Sequence, residues 1–414
     1  MWKYMVLVAV FCAVYQIWRN ANIEDIVAVD RCPFCYGNTL CSSVYKGRLS
    51  IGKSKSLTLW EHYNKFFSGA KNVFYGMLDK SQEIMLKNLG HDWELREFDS
   101  EADKLLVMFG VRDWNELSPD SLLLLIAEKL SGNFSAPMMK LLLCSPDSEI
   151  DEENGSHILD EFLNRLSIDS DFDVRSGGLA ALLHIWSLLH INPEPIILQL
   201  FPSQGGWPFP EYLGACGRLV AEEYCGEPLS AVAYNLSWEK RALLASQALT
   251  AAHRFTHGDS VFRLYLVDIS PDNVVVMEDI KGIHLKFVDL EDTILVDKRI
   301  SQTDESTQWH ETHLSRLQDD CPDGSCFVFS AYDICSHHLS DHNYFAVCNQ
   351  LFGPSPYLQE GLLRPFPEKV RQNEYHSQLD FLLKECMQPT DANQSRESIA
   401  LELQQLLEHL AYYL

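Results

Sequence analysis

The stretch from Leu264 to Val276 reads LYLVDISPDNVVV. It constrains the fold more than any other part of the chain. Two apolar, largely β-branched or aromatic runs flank a polar turn carrying Asp268, Pro271, Asp272 and Asn273. Short apolar runs bounded by turn residues read as buried strands, and Ser270-Pro271-Asp272-Asn273 has turn chemistry. A further strand-like segment, His284–Asp289 (HLKFVD), ends on the carboxylate of Asp289, sixteen residues after Asn273.

The residue types give the spacing a chemical meaning. Nucleotide phosphates are highly charged. A phosphoryl-transfer site needs two hard oxygen ligands to hold Mg²⁺ on them and a third group to orient the accepting hydroxyl. An Asp, an Asn five residues on, and a later strand-terminal Asp is the spacing of a kinase catalytic core. Asp268 would orient the hydroxyl, while Asn273 and Asp289 would hold the metal. The same residues also fit a plain turn between two ordinary strands, so the rest of the chain has to decide.

The chain has 414 residues, 46% of them apolar, which suits one large domain or two ordinary ones with a substantial core. Its 58 acidic and 33 basic residues give a formal charge of −25. That surplus opposes non-specific binding to nucleic acid or anionic lipid, and no nucleic-acid partner is expected. Tyr4–Trp18 is an uncharged apolar run between Lys3 and Arg19, long for the apolar part of a signal peptide and short for a spanning helix. Residues 1–22 are read as a cleaved signal or an uncleaved short anchor; membrane contact is expected only through this segment, if it is uncleaved. Four N-x-S sequons, at Asn133, Asn154, Asn235 and Asn393, and twelve cysteines agree with a glycoprotein exposed to the lumen or the extracellular space, where cysteines pair. Cys32-Pro33-Phe34-Cys35 and Cys41 fit structural disulfides better than a zinc or redox site, and the connectivity stays open.

Val44–Ile51 and Asn72–Leu78 read as short strands, and Glu83–Leu86 as a third that ends on Lys87. A lysine there is either a phosphate-holding group or a solvated edge residue. The glycines at 47, 52, 69 and 76 form no G-x-G-x-x-G loop. From Trp93 to about His190 the pattern is helical, with apolar faces over Leu122–Leu130, Met138–Leu143, Ile158–Leu166 and Leu179–Leu189 and an acidic loop at Asp147–Asn154. Ile191–Pro202 reads as a proline-rich turn into a buried strand, Leu219–Ala221 as another strand, and Trp238–His253 as an amphipathic helix. Arg299–Asp320 is polar and loop-like, and helical patterns finish the chain at Ser377–Cys386 and Arg396–Tyr413. His310-Glu311-Thr312-His313 lacks the spacing that faces two histidines to one metal, and His337, His338 and His342 read as surface or capping residues. The fold class expected is α+β: a two-lobe, protein-kinase-like fold with a helical insert between Lys87 and Ile196. A part at 30–225 and a helical part at 226–414 form one unit.

With these residues in view, the chain resembles the divergent protein kinase domain family of the secretory pathway, in its deleted-in-autism branch. The blocks that carry the resemblance are Cys32–Cys41, Leu86–Gly90, Asn192–Ala221, Leu266–Asn273, Val288–Arg299 and Asp341–Cys348. The resemblance implies residence in the Golgi or secretion, a paracrine role, and ATP with Mg²⁺ or Mn²⁺ as cofactor. It makes Lys87 the strand lysine on the nucleotide phosphates, Asp268 the catalytic Asp, and Asn273 and Asp289 the metal ligands. Leu219–Tyr224, with Glu222 and Tyr224, would be the hinge gripping adenine through its backbone. Glu94 fits the family block as the partner of Lys87, with Glu97 and Glu161 as alternatives. Departures are clear: Leu266-Val267 stand in place of H-R, Leu290-Glu291 replace the Phe and Gly after the metal Asp, and no A-P-E triplet follows. Loss of that glycine restricts the backbone, and Glu291 adds charge beside the metal position. Two readings follow: a phosphotransferase acting on a lumenal or extracellular protein or glycan, or a pseudokinase serving as a secreted ligand or scaffold for such a protein.

Overall fold

The computed structural model describes residues 23–51, 72–130, 141–144, 152–166, 171–298, 334–335, 339–390 and 394–413. After short helices at Ile23–Ile26 and Cys41–Tyr45 come strands β1 (Leu49–Ile51), β2 (Asn72–Leu78) and β3 (Gln82–Asn88). Helices α1 (Asp92–Met108) and α2 (Pro119–Leu130), strand β4 (Leu141–Cys144), and helices α3 (Glu152–Leu166), α4 (Val174–Ile191) and α5 (Glu194–Leu200) follow. Next are β5 (Tyr212–Cys216), β6 (Leu219–Glu223), β7 (Glu227–Pro228), helix α6 (Trp238–His257), β8 (Phe262–Leu266), β9 (Val274–Asp279), β10 (Gly282–Phe287) and β11 (Thr293–Asp297). Helices α7 (His342–Ala346), α8 (His376–Met387) and α9 (Arg396–Tyr413) close the described chain. Mixed helix and sheet of this kind is an α+β fold.

The chain divides into two compact units. The first holds the described residues up to Leu123, with Leu166–Pro195 and Tyr212–Tyr224; the second holds Leu124–Arg165, Ile196–Glu211 and the described residues from Cys225 on. A boundary between the units falls between Tyr224 and Cys225, and the second unit also takes two earlier segments.

The first unit is built on an antiparallel sheet in the order β1-β2-β3-β6-β5. Period-two alternation turns Ile84 and Leu86 of β3 into a cluster with Val27, Val44, Leu49, Cys216, Leu219 and Ala221. Lys87 therefore lies on the opposite face. The disulfide Cys41–Cys216 ties the cysteine-rich start into this sheet at β5, and Cys32–Cys35 closes a short loop within that start. Asp171 reinforces the tie: its carboxylate accepts from the backbone N–H of Asn38, Thr39 and Ala215 and from the hydroxyls of Thr39 and Tyr212, at 2.6–3.1 Å. Burial, with the Asp171 carboxylate beside it, raises the Tyr212 phenol well above its usual range. Backbone approach is close enough to require glycine: a Cβ on Gly217, at φ 59°, would stand 1.8 Å from the Val27 carbonyl oxygen.

In the second unit β11 lies between β4, which is parallel to it, and β8, which is antiparallel. β8 is wholly buried and its outer edge is closed by side chains. Asn343 donates to the Leu264 carbonyl (2.8 Å) and accepts from the Leu266 N–H (3.3 Å), and the His342 ring meets the Leu266 carbonyl at 2.9 Å. Helix α6 packs on α9, and a buried Arg396–Asp341 pair at 2.8 Å anchors the start of α9 beside α7. Disulfides Cys144–Cys335 and Cys348–Cys386 belong to this unit.

Four local expectations are corrected. Ile191–Pro202 holds helix α5, not a strand: Asn192 Oδ1 accepts the Glu194 N–H at 2.9 Å, and Pro195 sits in the first turn, where a missing donor costs nothing. Met138–Leu143 contributes strand β4, because a short apolar run has no period that separates helix from strand. Val44–Ile51 begins in a helix and is strand only from Leu49. His342 is buried rather than at the surface. Residues 1–22, Arg299–Asp320 with the H-E-x-H stretch, and His337 and His338 lie outside the described residues. Among the described residues no helix is long and apolar enough to cross a membrane.

Replacing Asp171 by alanine leaves five donors without their acceptor. It is expected to lower the unfolding free energy by about 3–5 kcal/mol in urea titrations; Asp171→Asn, which keeps an acceptor oxygen, loses less.

Candidate functional site

The candidate residues fall into two groups of side chains, one in each unit. In the first unit, Lys87 Nζ lies 2.7 Å from Glu194 Oε2 and 2.8 Å from Glu222 Oε2. The lysine side chain is 13% exposed and each glutamate 1%. Two almost fully buried carboxylates are held together by one ammonium, which fixes its position. Glu194 reaches it as the first residue of α5. Glu222 reaches it from β6, where register sets it opposite Met85 of β3.

In the second unit the β9–β10 hairpin positions the group. Val274 pairs with Phe287, so the preceding Asn273 meets the following Val288, whose N–H donates to the Asn273 carbonyl at 2.9 Å. Asp289 is the next residue. Its φ of 59° lies in the left-handed region, which Asp tolerates better than most side chains. The chain then carries Leu290 into the core, at 2% exposure. Asn273 Nδ2 donates to Asp268 Oδ2 at 2.8 Å, which commits the amide nitrogen and turns the orientation of the side chain over to Asp268. Asp268 is exposed, just beyond the braced strand β8.

Asp268, Asn273 and Asp289 are thus one neighbourhood, and Asn273 Oδ1 with the Asp289 carboxylate is a pair of hard oxygen donors on adjacent backbone. That donor chemistry fits Mg²⁺ or Mn²⁺. Lys87 lies on the face of β3 opposite Ile84 and Leu86, and there it meets Glu194 and Glu222. Glu94, considered as its partner, places a carboxylate oxygen 2.7 Å from the His91 N–H and closes the capping box of α1. Glu161 pairs with Arg165. Glu222 departs from the hinge expectation too: its backbone is inside the sheet between β3 and β5, and its side chain serves Lys87. Tyr224 stacks edge-on with Tyr75, ring centroids 5.5 Å apart. Glu83 accepts the Tyr75 hydroxyl and holds that phenol up at about 12. Sequence reasoning missed Glu194. The signal was the N-P-E-P turn, which starts a helix as readily as it precedes a strand.

The profile of a protein family, the protein-kinase domain of FAM69, matches residues 185–389. That span includes Glu194, Glu222, Asp268, Asn273 and Asp289. Divergent protein kinase domain 2A of Xenopus tropicalis is 31% identical over 401 residues, covering 93% of this chain and 88% of the relative. The Homo sapiens protein of the same name is 31% identical over 417 residues, covering 95% and 90%. Divergent protein kinase domain 2B of Mus musculus is 31% identical over 204 residues, covering 49% and 42%.

Lys87→Met leaves two buried carboxylates facing each other. An expected loss of about 3–5 kcal/mol follows for removing one member of a buried charge cluster. Adding Glu222→Gln is expected to restore part of it, so the double variant is more stable than Lys87→Met alone in urea unfolding.

Proposed function

The chain belongs to the divergent protein kinase domain family, and on that premise we propose that it is a phosphotransferase of the secretory pathway, within the deleted-in-autism branch. Its acceptor is a hydroxyl on a lumenal or extracellular protein or glycan. The reading rests on the Asp268, Asn273 and Asp289 neighbourhood. Asp268, exposed and oriented by Asn273, takes the proton of the acceptor hydroxyl as that oxygen bonds the terminal phosphorus of ATP and the bond to ADP breaks. Asn273 Oδ1 and Asp289 hold the metal. Mg²⁺ or Mn²⁺ supplies neutralisation of the phosphate charge. Lys87, fixed by Glu194 and Glu222, steadies the phosphates.

The apolar N-terminal run, the sequons and the disulfides support a Golgi or secreted location. Asn235 is exposed, ahead of Ser237 at the N-cap of α6, which suits an attached glycan. A second reading, a pseudokinase acting as a paracrine ligand or scaffold, is favoured by Leu290-Glu291. Glu291 puts a carboxylate two residues from the metal ligand where the catalytic pattern has glycine.

Purified secreted protein is expected to gain thermal stability from ATP with Mn²⁺, since a ligand bound to the native state must raise apparent stability. It is also expected to transfer labelled phosphate. Asp268→Asn should retain the stabilisation and lose transfer by about 100-fold or more. Stabilisation without transfer in the wild type, on any secretory acceptor, supports the pseudokinase; no stabilisation at all removes the nucleotide role.

A further inference from the structure

A second constellation lies in the second unit, on residues that the phosphotransferase reading does not use. His253 and His257 are four apart on α6, so both rings leave the same helix face. Glu397, in the first turn of α9, faces them. One ligand atom from each, His253 Nδ1, His257 Nε2 and a Glu397 carboxylate oxygen, all lie within 4.8 Å of one another. Glu397 Oε1 is 2.8 Å from His257 Nε2 and 3.6 Å from His253 Nδ1. The Tyr344 hydroxyl stands 2.9 Å from His253 Nδ1 and 3.3 Å from Glu397 Oε1.

We propose that His253, His257 and Glu397 form a zinc site that staples the last turns of α6 to the first turn of α9. Two imidazoles and one carboxylate are a donor set zinc takes, and bonds of about 2.0–2.1 Å in a tetrahedron require donors roughly 3.3 Å apart. The spacings present bracket that value, so small side-chain rotations suffice. His257 Nε2 supplies an independent observation. It is buried and close to Glu397 Oε1, yet makes no hydrogen bond among the described residues. A nitrogen at that distance but off the hydrogen-bond line is arranged as a co-ligand is. Tyr344 stands at the spacing of a fourth donor, or of a group bonded to a water there. His253 is the most exposed of the three, at 46%, which leaves an entry path for the ion. The Arg263 guanidinium, 3.5 Å from His257 Nδ1, acts against a cation and limits affinity. Its NH1 also donates to the Thr256 carbonyl at 2.9 Å, which holds it away from the ligand side of the ring.

The test is zinc alone, added to the metal-stripped, full-length secreted protein without nucleotide, with bound zinc read by competition against a chromophoric chelator. The wild type is expected to bind one equivalent at micromolar affinity or better, with a rise in melting temperature. His257→Ala and Glu397→Gln should each weaken that binding at least tenfold. Co²⁺ in place of zinc should give the intense visible absorption of a tetrahedral site in the wild type only. Failure of the wild type to bind, or equal binding by the His253→Ala/His257→Ala double variant, overturns the proposal. Neither result bears on Asp268, Asn273 or Asp289.

Discussion

The register of one hairpin carries the arrangement on which the proposed metal site rests. Because Val274 of β9 faces Phe287 of β10, the residue entering one strand and the residues leaving the other are forced together. Asn273 and Asp289 are sixteen positions apart in sequence and separated only by Val288 in space. A slip of one residue would turn the side chains of one strand to the opposite face. β10 alternates, with Ile283, Leu285 and Phe287 buried, and that pattern fixes the register and so where a metal would be held. The β8 edge does the same for Asp268. Asn343 and His342 take up its backbone groups, so the strand that ends just before Asp268 has no open edge there to slide along.

Lys87 is held by a different logic. A lysine flanked by two glutamates that are 1% exposed is not a solvated edge residue. The carboxylates come from elements far apart in sequence, a helix start and a sheet strand, and each is placed by its own local rule: a capped first turn for Glu194 and sheet register for Glu222. Every member of the cluster depends on the others for its charge balance. Such clusters are costly to build and damaging to break, which ties the geometry of the lysine to the folding of the whole first unit.

The strands at Asn72–Leu78 and around Lys87, the helix from Trp238, and the last helix were legible in the sequence, because period and turn residues marked both ends. The closeness of Asp268, Asn273 and Asp289 was legible for the same reason: they are local to one strand–turn–strand segment. Glu194 was not, since proline on either side of it argued against a helix, and only the side-chain acceptor of Asn192 starts one there. Strand β4 was also hidden, because Leu141–Cys144 carries no alternation and becomes a strand only by pairing with β11, about 150 residues later. His253, His257 and Glu397 show the general limit. Spacing of four on a helix is common, and nothing in the sequence says that a carboxylate some 140 residues on will face it.

The central claim is that Asn273 and Asp289 act as one oxygen-donor pair for a divalent ion bound with nucleotide. Electron paramagnetic resonance titration of Mn²⁺ in the presence of ATP measures this directly. Each of Asn273→Ala and Asp289→Ala is expected to weaken Mn²⁺ binding by about tenfold or more, with the double variant little worse than the weaker-binding single one, since neighbours in one site do not add. Wild-type affinity in either single variant, or losses that simply sum, would contradict the account.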